Sequence, residues 1–196
     1  MLLRILQFIF YLPLSILYPT RIKGRKKLPK GRCVITSNHR SNWDSVLFVL
    51  HTFEKKRVLA KKELFKNKLV GGVLKGIGAF PIDRSKNDLT AIKTALNVLK
   101  SDKKLLMFPE GTRNKDEDES TLSQVKSGAI MFAIKTKSPI VPLWIDRRPR
   151  IFRRVTYKIG EAFELTEFYD QKINQEVLAQ GCKILEEKML ELRDKK

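Results

Sequence analysis

The chain of 196 residues carries 40 Lys and Arg against 21 Asp and Glu, a net charge of +19 at neutral pH, with 42% apolar residues and eleven Phe. That length suits one domain, and so much apolar material excludes a wholly disordered polyelectrolyte. Two cysteines, Cys33 and Cys182, exclude a disulfide framework, and neither lies in a Cys-x-x-Cys or Cys/His spacing that would hold a metal. A reducing, cytosolic setting is the simplest expectation.

The chain opens MLLRILQFIFYLPLSILYPT, apolar but interrupted by Arg4, Gln7 and Pro13. A bilayer span needs about 20 apolar residues, whereas about 10–14 suit an interfacial or core helix. No small-residue cleavage site follows, so a secretory signal is not expected. Residues 1–20 are expected to form an interfacial membrane-anchoring helix, and residues 21–196 one domain. Directly after it come Arg21, Lys23, Arg25, Lys26, Lys27, Lys30 and Arg32 with no acid among them. Such a run suits anionic lipid, at about 1 kcal/mol per charge near the surface. Nucleic acid rewards the same charge, but single-strand binders interleave aromatics with their cations, and here the aromatics gather in the apolar run. A solvated basic face without a partner is the bland alternative. The reading adopted is a monotopic, peripheral protein on the cytoplasmic face of a membrane, with an anionic membrane surface as partner and no nucleic acid.

Further along, residues 33–36 read as a buried strand, 46–50 as a short helix, 57–60 as a strand, and 63–74 as a helix ending at Gly76 and Gly78. Leu89, Ile92, Leu96 and Leu99 recur at helical spacing after a cap expected at Asn87 or Ser85. Residues 105–108 and 140–144 read as core strands bracketing a helix over 127–136. Residues 155–159 form a further strand, and 173–192 a final helix. Alternating strands and helices predict a single-domain α/β fold, a mostly parallel central sheet flanked by helices. Function in such sheets gathers beyond the strand carboxyl ends.

Three polar blocks fall there. Ser37-Asn38-His39-Arg40-Ser41-Asn42-Trp43-Asp44 follows the first core strand. On one ideal helix His39 and Asp44 would stand about 140° apart, so they meet only if the chain turns between them. An Asp against an imidazole fixes its tautomer and stabilises the imidazolium, although a satisfied structural histidine would leave the same trace. Phe108-Pro109-Glu110-Gly111-Thr112-Arg113 ends another strand, with a glycine for a tight path and an arginine fork for phosphate. Gly78-Ala79-Phe80-Pro81-Ile82-Asp83-Arg84 precedes a helix N-terminus, which also favours anions. Ile140-Val141-Pro142-Leu143 carries no titratable group and reads as core.

These four blocks, in this order, resemble the glycerolipid acyltransferases, the family of 1-acylglycerol-3-phosphate O-acyltransferases. Asn38, His39, Ser41 and Asp44 meet the family's Asn-His-x-Ser-x-x-Asp motif. Gly78, Phe80 and Arg84 match its second block, residues 108–113 its Phe-Pro-Glu-Gly-Thr-Arg motif, and Val141-Pro142-Leu143 its fourth. Lys61 and the block Lys126-Ser127-Gly128-Ala129 match as well, so the resemblance covers roughly residues 25–160. Pro81 departs from the usual second block, and the acids at 116–119 directly after the third are read as a solvated loop.

The resemblance implies transfer of a fatty acyl group from a thioester, acyl-CoA or acyl carrier protein, to the sn-2 hydroxyl of 1-acylglycerol 3-phosphate (lysophosphatidic acid), giving phosphatidic acid. His39 would be the general base with Asp44 holding its ring, and no covalent intermediate, cofactor or metal is called for. Asn38, Ser41, Lys61, Phe80, Arg84, Glu110, Gly111, Thr112 and Arg113 are the expected substrate-binding residues. Another acceptor, such as glycerol 3-phosphate or a different lysophospholipid, is the nearest rival. A non-catalytic basic module for anionic lipid or nucleic acid is the rival from another class.

Overall fold

The computed structural model describes residues 11–52, 56–76, 78–83, 88–116, 118 and 120–195. Residues 11–17 are helical (α1), and the elements that follow are β1 (Thr20–Lys23), β2 (Cys33–Ser37), α2 (Trp43–Thr52), β3 (Lys56–Lys61), α3 (Lys68–Gly76) and β4 (Ala79–Ile82). Then come α4 (Leu89–Lys100), β5 (Lys104–Met107), α5 (Gly128–Thr136), β6 (Ile140–Ile145), β7 (Val155–Ile159) and α6 (Gln175–Asp194). The seven strands make one sheet in the order β1-β7-β6-β2-β5-β3-β4. All neighbours pair in parallel except β6 with β7.

β2 is buried along its whole length because both faces of the sheet are covered. Cys33 and Ile35 point to the side where Leu47, Phe48 and Val49 of α2 pack with Val141 and Tyr157. Val34 points to the other, among Leu99 of α4, Ile130 of α5 and Leu185 of α6. The period of two along β2 therefore divides one strand between two cores. β7 alternates buried and half-buried positions, with Val155, Tyr157 and Ile159 inward.

The expected α/β architecture is present, with local differences. The helix expected over 63–74 is broken into a 3₁₀ turn at Lys62–Phe65 and α3. Asp88, rather than Asn87 or Ser85, caps α4, its carboxylate accepting from Ala91 N–H at 2.9 Å. β1 and β4 were not expected; both are four-residue edge strands, too short to show a period in sequence. Of the expected anchoring helix, residues 1–10 lie outside the described residues, and Thr20 already belongs to β1.

Helix α1 is tied to the end of α2 through His51. Its ring Nδ1–H donates to Leu47 C=O at 2.9 Å, which leaves Nε2 to accept from the Ser15 hydroxyl at 3.1 Å, and Tyr11 lies with its ring centroid 5.2 Å away. Burial lowers the His51 pKa below its ordinary 6.5, against an opposing contribution from the Leu47 bond. The unfolded chain thus takes up this proton near pH 6.5, and the folded chain only at lower pH. Stability from this group is constant above that pH, falls as pH drops through 6.5, and levels off below the folded value. Thermal melts of wild type and His51→Gln from pH 8 to 5 are expected to show an acid-side decline that the variant lacks.

The connections position the functional edge. From β2 the chain passes through α2 to β3, two places to one side; from β5 it passes through α5 to β6, on the opposite side of β2. The winding direction therefore reverses between the adjacent strands β2 and β5, and a crevice opens beyond their carboxyl ends. His39 follows β2 there, and Phe108 to Arg113 follow β5.

Candidate active site

The turn after β2 brings His39 onto Asp44. Asp44 lies in the first turn of α2, and its Oδ2 accepts three hydrogen bonds: from Arg40 N–H at 2.7 Å, from Ser41 N–H at 2.7 Å and from His39 Nδ1 at 2.9 Å. One oxygen thus closes the loop and orients the ring. Because a carboxylate only accepts, the proton of the neutral imidazole sits on Nδ1, and Nε2 is the nitrogen offered to a substrate hydroxyl. The Asp44 side chain is fully buried while that of His39 is 12% exposed, so the pair is reached from the histidine side. Phe108, at the end of β5, stacks on the imidazole at 3.9 Å between centroids and 16° between planes.

Glu110 joins the two strand ends. Its Oε1 accepts from His39 N–H at 2.7 Å and its Oε2 from Ser123 N–H at 2.9 Å, with the residue 3% exposed. Each oxygen holds a backbone N–H and the residue is buried, so in this structure Glu110 positions the His39 peptide, where a substrate contact was expected. Asn38 is a second correction. Its side-chain NH₂ donates to Ile145 C=O at 3.0 Å and its side-chain oxygen accepts from Ile145 N–H at 2.7 Å, so the amide extends the β2–β6 ladder by one side-chain rung in the core. Phe80 is half-buried on β4, in register with Leu59 of β3, and packs against the α4–α5 core.

A cleft of about 440 Å³ opens at His39, walled by Leu59, Lys61, Phe108, Thr112, Arg113 and Lys126 among others. Lys61, Gly111, Thr112 and Arg113 all line this cleft. Gly111 has φ +73, the backbone conformation that favours glycine at this turn, and the Lys126 side chain lies close over it. Ser41 lies outside this cleft; its Oγ accepts from Trp43 N–H at 3.3 Å, and it lines a second, basic cavity of about 430 Å³ with Arg40, Arg113, Lys115 and Arg148. A third cavity of about 330 Å³ shares Leu59, Phe108, Gly111 and Lys126 with the first and continues into apolar walls from Ile82, Ile92, Met131 and Phe132. Arg84 lies outside the described residues.

Four wall residues were not singled out from sequence for this site. Phe108 and Lys126 lie inside blocks whose resemblance is plain, yet no chemistry pointed to them. Lys115 carries no local signal, and Arg148 is legible only as part of a basic cluster over 147–154 expected to face anionic headgroups; the two meet because the β5 and β6 loops leave the same edge of the sheet. Among the described residues there is no group of three or more His, Cys, Asp or Glu placed to hold a metal ion.

His39 Nε2 therefore opens onto a cleft with cationic walls and an apolar extension. The chain belongs to the Acyltransferase family, which it matches over residues 19–146. It is 40% identical over 112 residues to a 1-acyl-sn-glycerol-3-phosphate acyltransferase of Streptococcus pneumoniae, covering 56% of this chain and 40% of that one. It is 29% identical over 195 residues to the Bacillus subtilis protein of the same name, covering 93% of this chain and 92% of that one. The chain thus spans less than half of the first relative and nearly all of the second. The crystal structure of the 1-acyl-sn-glycerophosphate acyltransferase PlsC from Thermotoga maritima shares the fold, with a TM-score of 0.63 at 23% identity over 90% of this chain and 73% of that one.

Proposed function

We propose that this chain transfers a fatty acyl group from an acyl-CoA or acyl carrier protein thioester to the sn-2 hydroxyl of 1-acylglycerol 3-phosphate. The observation that carries the reading is the His39–Asp44 pair, set at the mouth of a cleft that is cationic at one side and leads to apolar walls at the other. His39 Nε2 takes the hydroxyl proton, and the imidazolium is stabilised by Asp44. The oxygen attacks the thioester carbonyl, forming the ester C–O bond. Collapse breaks the C–S bond, and the thiolate leaves with the proton that His39 returns. No Ser or Cys nucleophile is needed, and Ser41 Oγ has Trp43 N–H, not His39, as its hydrogen-bond partner.

Arg113 and Lys61 supply charge for the acceptor phosphate, the guanidinium by a bidentate fork and the ammonium as a point charge. The cavity between Ile92, Met131 and Phe132 has room and polarity for part of an acyl chain. Both substrate and product are bilayer lipids, which supports a peripheral position on a membrane. No helix among the described residues is long and apolar enough to cross one.

The test is thiol release from a long-chain acyl-CoA, or from acyl carrier protein, with 1-acylglycerol 3-phosphate, glycerol 3-phosphate or neutral monoacylglycerol offered in detergent micelles. Release that depends on 1-acylglycerol 3-phosphate supports the reading. Preference for glycerol 3-phosphate would move the assignment to the other acceptor, and acceptor-independent release would overturn transfer altogether.

A further inference from the structure

The loop between β6 and β7 carries five arginines in eight residues, Arg147, Arg148, Arg150, Arg153 and Arg154, with Ile151 and Phe152 in their midst. Arg150 and Arg153 pair across a tight turn, Arg153 N–H donating to Arg150 C=O at 3.1 Å, so Ile151 and Phe152 form its apex. They are 56% and 71% exposed. Phe152 has φ +58, a conformation that a bulky side chain holds only where its surroundings impose it. What imposes it is the end of α1: Phe152 N–H donates to Leu17 C=O at 2.7 Å, and just beyond the loop Val155 N–H, at the start of β7, donates to Pro19 C=O at 2.9 Å. The apex is thus a fixed presentation of two large apolar groups to solvent.

The surface beside it is of the same kind. α1 exposes Leu12 and Ile16, and Trp43, next to Tyr18 at 5.2 Å between ring centroids, is also exposed. The acid at the start of the loop, Asp146, is occupied: it accepts from Thr156 N–H at 2.8 Å and faces Arg147 Nε at 3.6 Å. An apolar tip ringed by arginines has the polarity profile of a bilayer interface, where aliphatic groups enter the acyl region and guanidinium groups stay with the phosphates. Of these five exposed apolar groups, Phe152 and Trp43 have a face on which a base could stack and Leu12, Ile16 and Ile151 have none, so the aliphatic majority favours an acyl region over a single strand of nucleic acid.

We propose that the β6–β7 apex is a membrane-inserting element, with Ile151 and Phe152 entering an anionic bilayer alongside α1 and the five arginines seated at the headgroup phosphates. The inference deepens the membrane part of the function proposed above and rests on it. It also gives the loop a second task. Arg148 lines the basic cavity together with Arg113 and Lys115, so docking the apex brings one wall of that cavity to the level of the lipid phosphates beside the catalytic turn.

The test uses the full chain and vesicles of phosphatidylcholine and phosphatidylglycerol in equal parts. The double variant Ile151→Ser/Phe152→Ser is expected to partition roughly 10²- to 10⁴-fold more weakly, by the usual value of burying two such side chains. Its melting temperature and its thiol release on micellar substrate should be unchanged. In parallel, the tryptophan introduced by Phe152→Trp is expected to be quenched by lipids brominated on their acyl chains, beyond the quenching of Trp43 seen in the wild type. Undiminished binding of the double variant, together with no added quenching in Phe152→Trp, would overturn the apex while leaving a peripheral membrane protein. Failure of the wild type to bind vesicles at all would overturn the membrane reading itself. Loss of self-association in the double variant, with vesicle binding intact, would make the apex a contact between copies of this chain and likewise overturn the proposal.

Discussion

Replacing His39 with Ala is expected to lower kcat for acyl transfer by about 10²–10⁴-fold, the usual contribution of a positioned general base. The fold should survive, because the bond from the residue 39 N–H to Glu110 belongs to the backbone, and Arg40 and Ser41 still close the turn onto Asp44. KM for the phosphate-bearing acceptor should change little, since the cations of the cleft remain. Asp44→Asn should share the loss in kcat, because a neutral amide, even with its oxygen in the place of Oδ2, does not stabilise the imidazolium that forms on His39. The measurement is steady-state thiol release by wild type and both variants, with thermal melting as the control for folding. Equal rates in wild type and His39→Ala would overturn the mechanism, and a charge-driven lipid binder would show that result.

Asn38→Ala should fail in a different way. Removing the amide strands the N–H and C=O of Ile145 in the core, each without its partner. At about 1–3 kcal/mol for each unsatisfied buried group, the expected cost is about 2–6 kcal/mol. For a chain of this length that corresponds to a melting temperature lower by roughly 4–24 °C. Asn38→Asp should not rescue it, since a carboxylate can accept from Ile145 N–H but repels Ile145 C=O. Thermal denaturation reads the effect directly. An unchanged melting temperature with a raised KM would show Asn38 to be a substrate contact after all.

The contrast between these neighbours shows where sequence reading runs out. His39 and Asp44 are legible as a candidate pair because their chemistry is local: a five-residue spacing at a strand-to-helix turn allows contact, and residue type supplies the role. Asn38 belongs to the same motif, but its partner Ile145 is 107 residues away, so the pattern alone could not separate a rung of the sheet from a ligand contact. Glu110 is similar: the resemblance implied a substrate contact, and only the packed structure shows its oxygens accepting from amides 71 and 13 residues distant.

The amphipathic period of α4, the apolar runs of β2, β5 and β6, and the capping and turn residues are short-range signals, and by themselves they determined the alternation of strands and helices, hence the α/β class. Charge was equally legible, since the excess of Lys and Arg and its clustering near residues 21–32 and 147–154 are properties of composition. The tertiary structure alone decided the strand order, the antiparallel pairing of β7 and the short edge strands β1 and β4, because pairing partners are set by packing between distant segments. It alone decided, for the same reason, that Arg148 shares a cavity with Arg113 and that Phe152 is held outward by Leu17. A cavity wall or a surface apex is a property of space, built from loops that the sheet brings to one edge, and no window along the chain contains it.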